Sequence, residues 1–191
     1  MSEQKVLDPE ELLHLAILAS SNNEAEKSIV YLKQALDIEP NNAKVHYMLG
    51  AMHAEIGMYQ RAIEDMQKAT ELDASLDTAH FQLGLLHITS GNVVAAEQAW
   101  EHLNKLGEQH PLFLFKRGIL ALASDQFQQC IDDLTQGIEL NTENLPLNKD
   151  MQNLIMQARQ AIGNDDNNDS GEKKTEEHVF LSAYSSDDEP H

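Results

Sequence analysis

The sequence predicts an all-α fold built from repeated helix pairs, and three observations carry that prediction. Ala43–Leu76 and Asp77–His110 are adjacent 34-residue blocks that align without a gap. Leu49-Gly50 falls over Leu83-Gly84, His46 and His53 over His80 and His87, Gly57 over Gly91, Ala62 over Ala96, Met66 over Trp100 and Leu72 over Leu106. A period held at so many positions marks a repeated supersecondary unit. The same register extends to 9–42 and 111–144 with no insertion. Within each block, apolar residues recur at helical spacing on both sides of a short turn.

In the first block Pro9 follows Asp8, a helix-start signal. Leu12, Leu15, Ala16 and Ala19 then form one apolar face, and Ser20 to Asn23 make a turn. Ile29, Leu32, Ala35 and Leu36 form the face of the next helix, which Pro40-Asn41-Asn42 stops. Gly57-Met58, Ser90-Gly91-Asn92 and Ser124-Asp125 are the corresponding turns of the other blocks. Short turns between long helices make neighbours antiparallel. After Asn144, Leu147, Met151, Leu154, Ile155, Ala158 and Ile162 make one stripe, so 145–162 is read as a capping helix that covers the last stacking face. Residues 1–8 are a short lead. Residues 163–191 turn polar and acidic and are expected to be disordered. Within them Val179-Phe180-Leu181 and Tyr184 form an apolar run, either a linear docking element or part of a solvating appendage. Ser185 and Ser186, beside Asp187-Asp188-Glu189, are candidate phosphorylation sites.

The chain has 191 residues, 41% of them apolar, enough for one ordinary core or a short solenoid. Its single cysteine, Cys130, excludes an intramolecular disulfide and a thiolate metal cluster. The formal charge of −19 disfavours nucleic acid and anionic membranes, which need Lys and Arg against phosphate. It suits basic or amphipathic partners. No apolar run approaches the roughly 20 residues of a bilayer span. Met1 to Asp8 lacks a secretory pattern, so the expected compartment is the cytoplasm.

The blocks resemble tetratricopeptide repeats, whose 34-residue pattern runs W-x2-L-G-x2-Y, A-x3-F and P. The Leu-Gly pair is Leu15-Ala16, Leu49-Gly50, Leu83-Gly84 and Arg117-Gly118. The small residue of the second helix is Ser28, Ala62, Ala96 and Cys130, with Leu32, Met66, Trp100 and Leu134 four later. The aromatic positions are eroded to Leu12, His46, His80 and Leu114, and to Ala19, His53, His87 and Ala121; the proline survives only as Pro40. The resemblance implies a right-handed α-α superhelix of four helix pairs plus the C-terminal capping helix. Gly50 and Ala62 then stand where the two helices of a block approach most closely, at axis separations of about 8–10 Å. A phosphate-binding loop is the weaker reading of Gly50, because no Gly-rich loop ending in Lys-Ser/Thr surrounds it.

No catalytic constellation, cofactor motif or metal site is read from the sequence. His46 and His53, like His80 and His87, are seven residues apart, about 10.5 Å along a helix. They occupy positions that the family fills with buried aromatics, so they are read as core imidazoles. Cys130 falls at a small packing position, as an inert thiol does. Glu64-Asp65 and Asp132-Asp133 are expected on solvated faces.

In the family, the first helix of each block lines a concave groove. Mapped here, that groove is formed by Leu13 and Ile17; Tyr47, Met48 and Ala51; Phe81, Gln82 and Leu85; and Phe115, Lys116 and Ile119. One branch of the family grips a C-terminal carboxylate with Lys and Asn where this chain has Leu13 and Ile17, so that clamp is absent. An aromatic row, Tyr47–Phe81–Phe115, is expected instead, suited to an amphipathic helix or apolar peptide. The expected function is a non-catalytic cytoplasmic interaction module, an adaptor or chaperone-like protein. Its partner is another protein, with no nucleic acid and no membrane insertion. The alternative is self-association, a homodimer included. The apolar run of the tail is further expected to fold back weakly into the groove near Lys116 and Arg117.

Overall fold

A computed structural model describes residues 7–165 of the chain, all in helices and turns. Nine α-helices follow one another among those residues. They are α1 (Pro9–Ser21), α2 (Ala25–Ile38), α3 (Ala43–Glu55), α4 (Tyr59–Leu72), α5 (Asp77–Thr89), α6 (Val93–Trp100), α7 (Pro111–Ala123), α8 (Phe127–Leu140) and α9 (Leu145–Asp165). A 3-10 helix, Glu101–Leu106, continues α6.

Local chemistry sets the ends. Asp8 and Glu11 form a capping box at α1: Asp8 Oδ1 accepts from the Glu11 amide at 2.8 Å, and Glu11 Oε2 accepts from the Asp8 amide at 3.1 Å. Asn42 caps α3 by accepting from the Val45 amide, and Asn92 caps α6 by accepting from the Ala95 amide. The turn inside each helix pair has one geometry. Asn23, Gly57, Gly91 and Asp125, spaced at 34-residue intervals, all have positive φ, between 57° and 75°. The amide that follows each donates five residues back: Glu24 to Ala19, Met58 to His53, Asn92 to His87 and Gln126 to Ala121. This is the Schellman closure that satisfies carbonyls at a helix end.

The chain divides into two compact units, one up to Leu86 and one from His87 on, with the division inside α5. In the first unit α1 packs on α2, α2 on α3 and α3 on α4. Leu12, Ala16, Ile29, Leu32, Ala35, Val45, Leu49 and Met52 form one buried cluster there. In the second, α7 packs on α8 and α8 on α9. Trp100, Leu103, Leu114, Phe115, Ile119, Leu134 and Met151 are buried. The tightening of α6 into a 3-10 helix coincides with Leu103, a bulky residue where the other blocks carry Ala35, Ala69 and Gly137.

The cap and tail need one correction. α9 runs to Asp165 rather than Ile162, so Gly163 to Asp165 continue the helix that the sequence reading ended. Its buried face is Leu147, Met151, Leu154, Ile155 and Ala158. The rest of the expected tail, with Val179–Tyr184, Ser185 and Ser186, lies outside the described residues.

Candidate functional site

The first helices do not present a uniform groove. On α1, Ile17 is 44% exposed and Leu13 half-buried. On α3, Tyr47, Met48 and Ala51 are half-buried, and burial pushes the Tyr47 phenol up. Leu13, Met48 and Ala51 border the core cluster of the first unit. On α5, Gln82 and Leu85 are also half-buried.

The other expected groove residues are interior, which corrects the sequence reading. Phe81, Phe115 and Ile119 are fully buried and Lys116 is 7% exposed. The expected aromatic row therefore reduces to the half-buried Tyr47. For Phe115 the cause is visible: its ring lies against Gly137 of α8, in space that a side chain there would fill. Lys116 is drawn to the end of α6. Its Nζ donates to the Trp100 carbonyl at 3.2 Å and to Asn104 Oδ1, and it lies 4.8 Å from the Phe113 ring centre. A cation at a helix C-terminus satisfies end carbonyls and the dipole, while desolvation pulls the amine below its ordinary range.

Two carboxylates expected in solvent are also turned inward. Asp133 is 2% exposed and receives both Arg117 Nε and Nη2 at 2.7 Å. That bidentate pair replaces the leucine of the repeat pattern at Arg117, and the Asp133 hydrogen bonds raise the guanidinium further. Asp65, 34 residues upstream of Ala99 and 68 upstream of Asp133, meets the histidines of α3. His53 Nδ1 lies 2.7 Å from Asp65 Oδ2, and His46 Nδ1 lies 3.5 Å from Oδ1. His46 Nε2 donates to the Pro40 carbonyl at 3.0 Å. Only His53 is a buried core imidazole; His46, His80 and His87 are half-buried. Burial lowers His87 below its ordinary value and pushes the Cys130 thiol up to about 12. The signal for these pairs was present: Asp65 and Asp133 share a block position, opposite His53 and Arg117 across the helix pair. Among the described residues no three His, Cys, Asp or Glu side chains are placed to hold a metal ion, and no helix is long and apolar enough to cross a membrane.

Comparison with known proteins accords with this geometry. Two tetratricopeptide-repeat family models match, over residues 31–64 and 12–42. No curated protein matches the sequence. The structure of MamA is similar at TM-score 0.60, with 21% identity, covering 69% of this chain and 77% of that one. A chain of the APC/C hetero-tetramer Cut9-Hcn1 is similar at TM-score 0.74 and 18% identity, covering 83% of this chain but 31% of its own length. YrrB, described as "a TPR protein with an unusual peptide-binding site", is similar at TM-score 0.59 and 17% identity, covering 92% and 82%. At such identities the likeness shows the fold, an all-α helical-repeat solenoid.

Proposed function

Because the chain is a tetratricopeptide-repeat protein, and hence a protein-interaction module, we propose that it is a non-catalytic adaptor or chaperone-like protein. It grips an apolar or amphipathic segment of another protein on the first helices of its first unit. The observation that carries this is the half-open apolar surface of Leu13 and Ile17 on α1 and of Tyr47 and Met48 on α3. Side chains that border a core yet keep open surface can bury it against a ligand, at roughly 25 cal/mol per Å². Gln82 and Leu85 on α5 extend the same set of block positions. Glu10 and Glu55, exposed on the same two helices, favour a basic flank on the ligand. The test titrates the full chain into a dye-labelled synthetic helix with leucine on one face and lysine on the other. Ile17→Ser and Tyr47→Ser should each weaken binding about ten-fold or more, on the order of 1.4 kcal/mol, while Val94→Ser on α6 leaves it unchanged. Equal affinity of all four proteins overturns the reading.

Self-association is a second reading, favoured by Leu18. It is 59% exposed, while Met52, its equivalent 34 residues on, is 7% exposed inside the core cluster. A mass that doubles with concentration in light scattering, and that Leu18→Asp returns to the monomer value, supports it.

A further inference from the structure

One apolar face of α1 is open where the same face of α3 is closed. Val45, Leu49 and Met52 stand 34 residues after Glu11, Leu15 and Leu18. All three are buried, in one cluster with Leu12, Ile29 and Leu32 of the helix pair before them. Their counterparts on α5, Ala79, Leu83 and Leu86, are buried as well. This is the stacking face, by which a repeat covers its predecessor. In the first block it stays open: Leu18 is 59% exposed, Leu15 is half-buried, and the exposed Asn22 ends the stripe. It lies beside the proposed groove face of Leu13 and Ile17, not within it.

We propose that this face is covered by α1 of a second copy, running antiparallel across a two-fold axis at the level of Ala16 and Ile17. The inference rests on the self-association reading and gives that contact its residues and direction. Glu11, Leu15, Leu18 and Asn22 are spaced by four, three and four residues, so the stripe is alike from either end. Turned end for end, Leu15 of each copy meets Leu18 of the other, the self-complementarity that an isologous contact needs. Charge selects the direction. Glu10 and Glu11 fill the first turn of α1, whereas its last turn, with Ser20 and Ser21, carries no charge. Parallel copies would set acid against acid. Antiparallel copies set each acidic turn beside Asn22 of the other, whose amide can donate to a carboxylate. Glu24, just beyond, is already paired with Lys27 at 3.0 Å. Head-to-tail stacking is closed off, because α9 packs on α8 and α7 and buries Leu147, Met151 and Leu154 at the same block positions. Contact between two open faces therefore stops at two copies. α1 is about 20 Å long at 1.5 Å per residue. A contact of that size buries less than the roughly 1,200 Å² of a stable interface, so the pair exchanges and grows with concentration.

The test mixes two variants of the full chain, Leu15→Cys and Leu18→Cys, one of them isotope-labelled, in a thiol–disulfide redox buffer. Cys130 takes no part, being fully buried with its thiol pushed up to about 12. Mass spectrometry separates the mixed disulfide from the two like pairs. The mixed product should exceed both like pairs together, because facing positions bring the sulfurs within bonding reach. Separately, Asn22→Glu should weaken the dimer and Asn22→Lys tighten it, each by about three-fold or more in light scattering. The same changes at the exposed Gln152 of α9 should leave it as it is. Predominant like pairs would mean parallel copies, and equal effects at Asn22 and Gln152 a contact elsewhere; either overturns the inference. A doubled mass with only a statistical mixture of disulfides overturns it too, yet leaves self-association standing. A monomer mass at every concentration removes both.

Discussion

The Phe115 ring of α7 occupies the space beside Gly137 of α8: a Cβ built on Gly137 would stand 2.5 Å from Phe115 Cε1 and 2.6 Å from Cδ1. A ring held in the core by its neighbours cannot rotate away as a flexible chain can. That contact turns an expected ligand-facing residue into an interior one.

The first prediction follows from it. Gly137→Ala should destabilise the chain although alanine is the better helix former. Overpacking costs ~1–3 kcal/mol, against a propensity gain of about 1 kcal/mol. Gly50→Ala is the contrast. Its Cβ would meet Met66 Cγ at 3.0 Å, on an unbranched chain able to shift, and the Ala62 carbonyl oxygen at 3.2 Å, which the backbone yields less readily, so that variant should lose less than Gly137→Ala. Thermal midpoints of the two variants decide; equal shifts contradict this account of the packing.

A second prediction concerns Arg117 and Asp133. Arg117→Leu restores the residue of the repeat pattern, yet it strands a carboxylate that is 2% exposed. Breaking a buried pair costs ~3–5 kcal/mol, and the half-open guanidinium side, 41% exposed, places the loss toward the low end. Arg117→Leu with Asp133→Leu should recover most of it. Denaturant midpoints of both singles and the double give the coupling; a fully additive double contradicts the pairing.

Much of the fold was legible in the sequence for a definite reason. Small residues at Gly50, Ala62 and Gly118, and turn residues at Asn23, Gly57, Gly91 and Asp125, recur where backbones approach or φ turns positive, and such constraints act locally. The candidate site was less legible. Phe81 and Phe115 share a block position with Leu13 and Tyr47, but exposure depends on what the neighbouring helix presents. Gly137 admits the Phe115 ring, whereas nothing in the periodicity of α7 alone reports the residue opposite. The inward acids Asp65 and Asp133 share a block position, but their partners His53 and Arg117, 12 and 16 residues away on the preceding helix, do not, so the repeat marks the acids without pairing them.

Ser28 supplies a third prediction. Its hydroxyl is buried with no hydrogen-bond partner, at the position where the middle blocks carry Ala62 and Ala96. Leaving a buried polar group unpaired costs about 1–3 kcal/mol. Ser28→Ala should therefore raise the thermal midpoint, and a lowered midpoint contradicts the assignment.

The fourth concerns pH. Burial lowers the folded-state value of His87 below its ordinary 6.5. The unfolded chain then binds the proton more readily, so stability contributed by the neutral ring is present above 6.5 and is lost as pH falls toward the folded value. His87→Gln should flatten the stability slope just below 6.5, measured by denaturant unfolding across that interval. Identical slopes in both proteins contradict it.

The most direct test of the central claim maps where a ligand sits. The leucine–lysine helix is added to the isotope-labelled full chain, and amide shifts are followed residue by residue. The account predicts movement concentrated on α1 and α3, around Leu13, Ile17, Tyr47 and Met48, with α8 and α9 unmoved. Movement confined to α6, α7 and α8, or none at a peptide concentration that saturates the anisotropy signal, would contradict it.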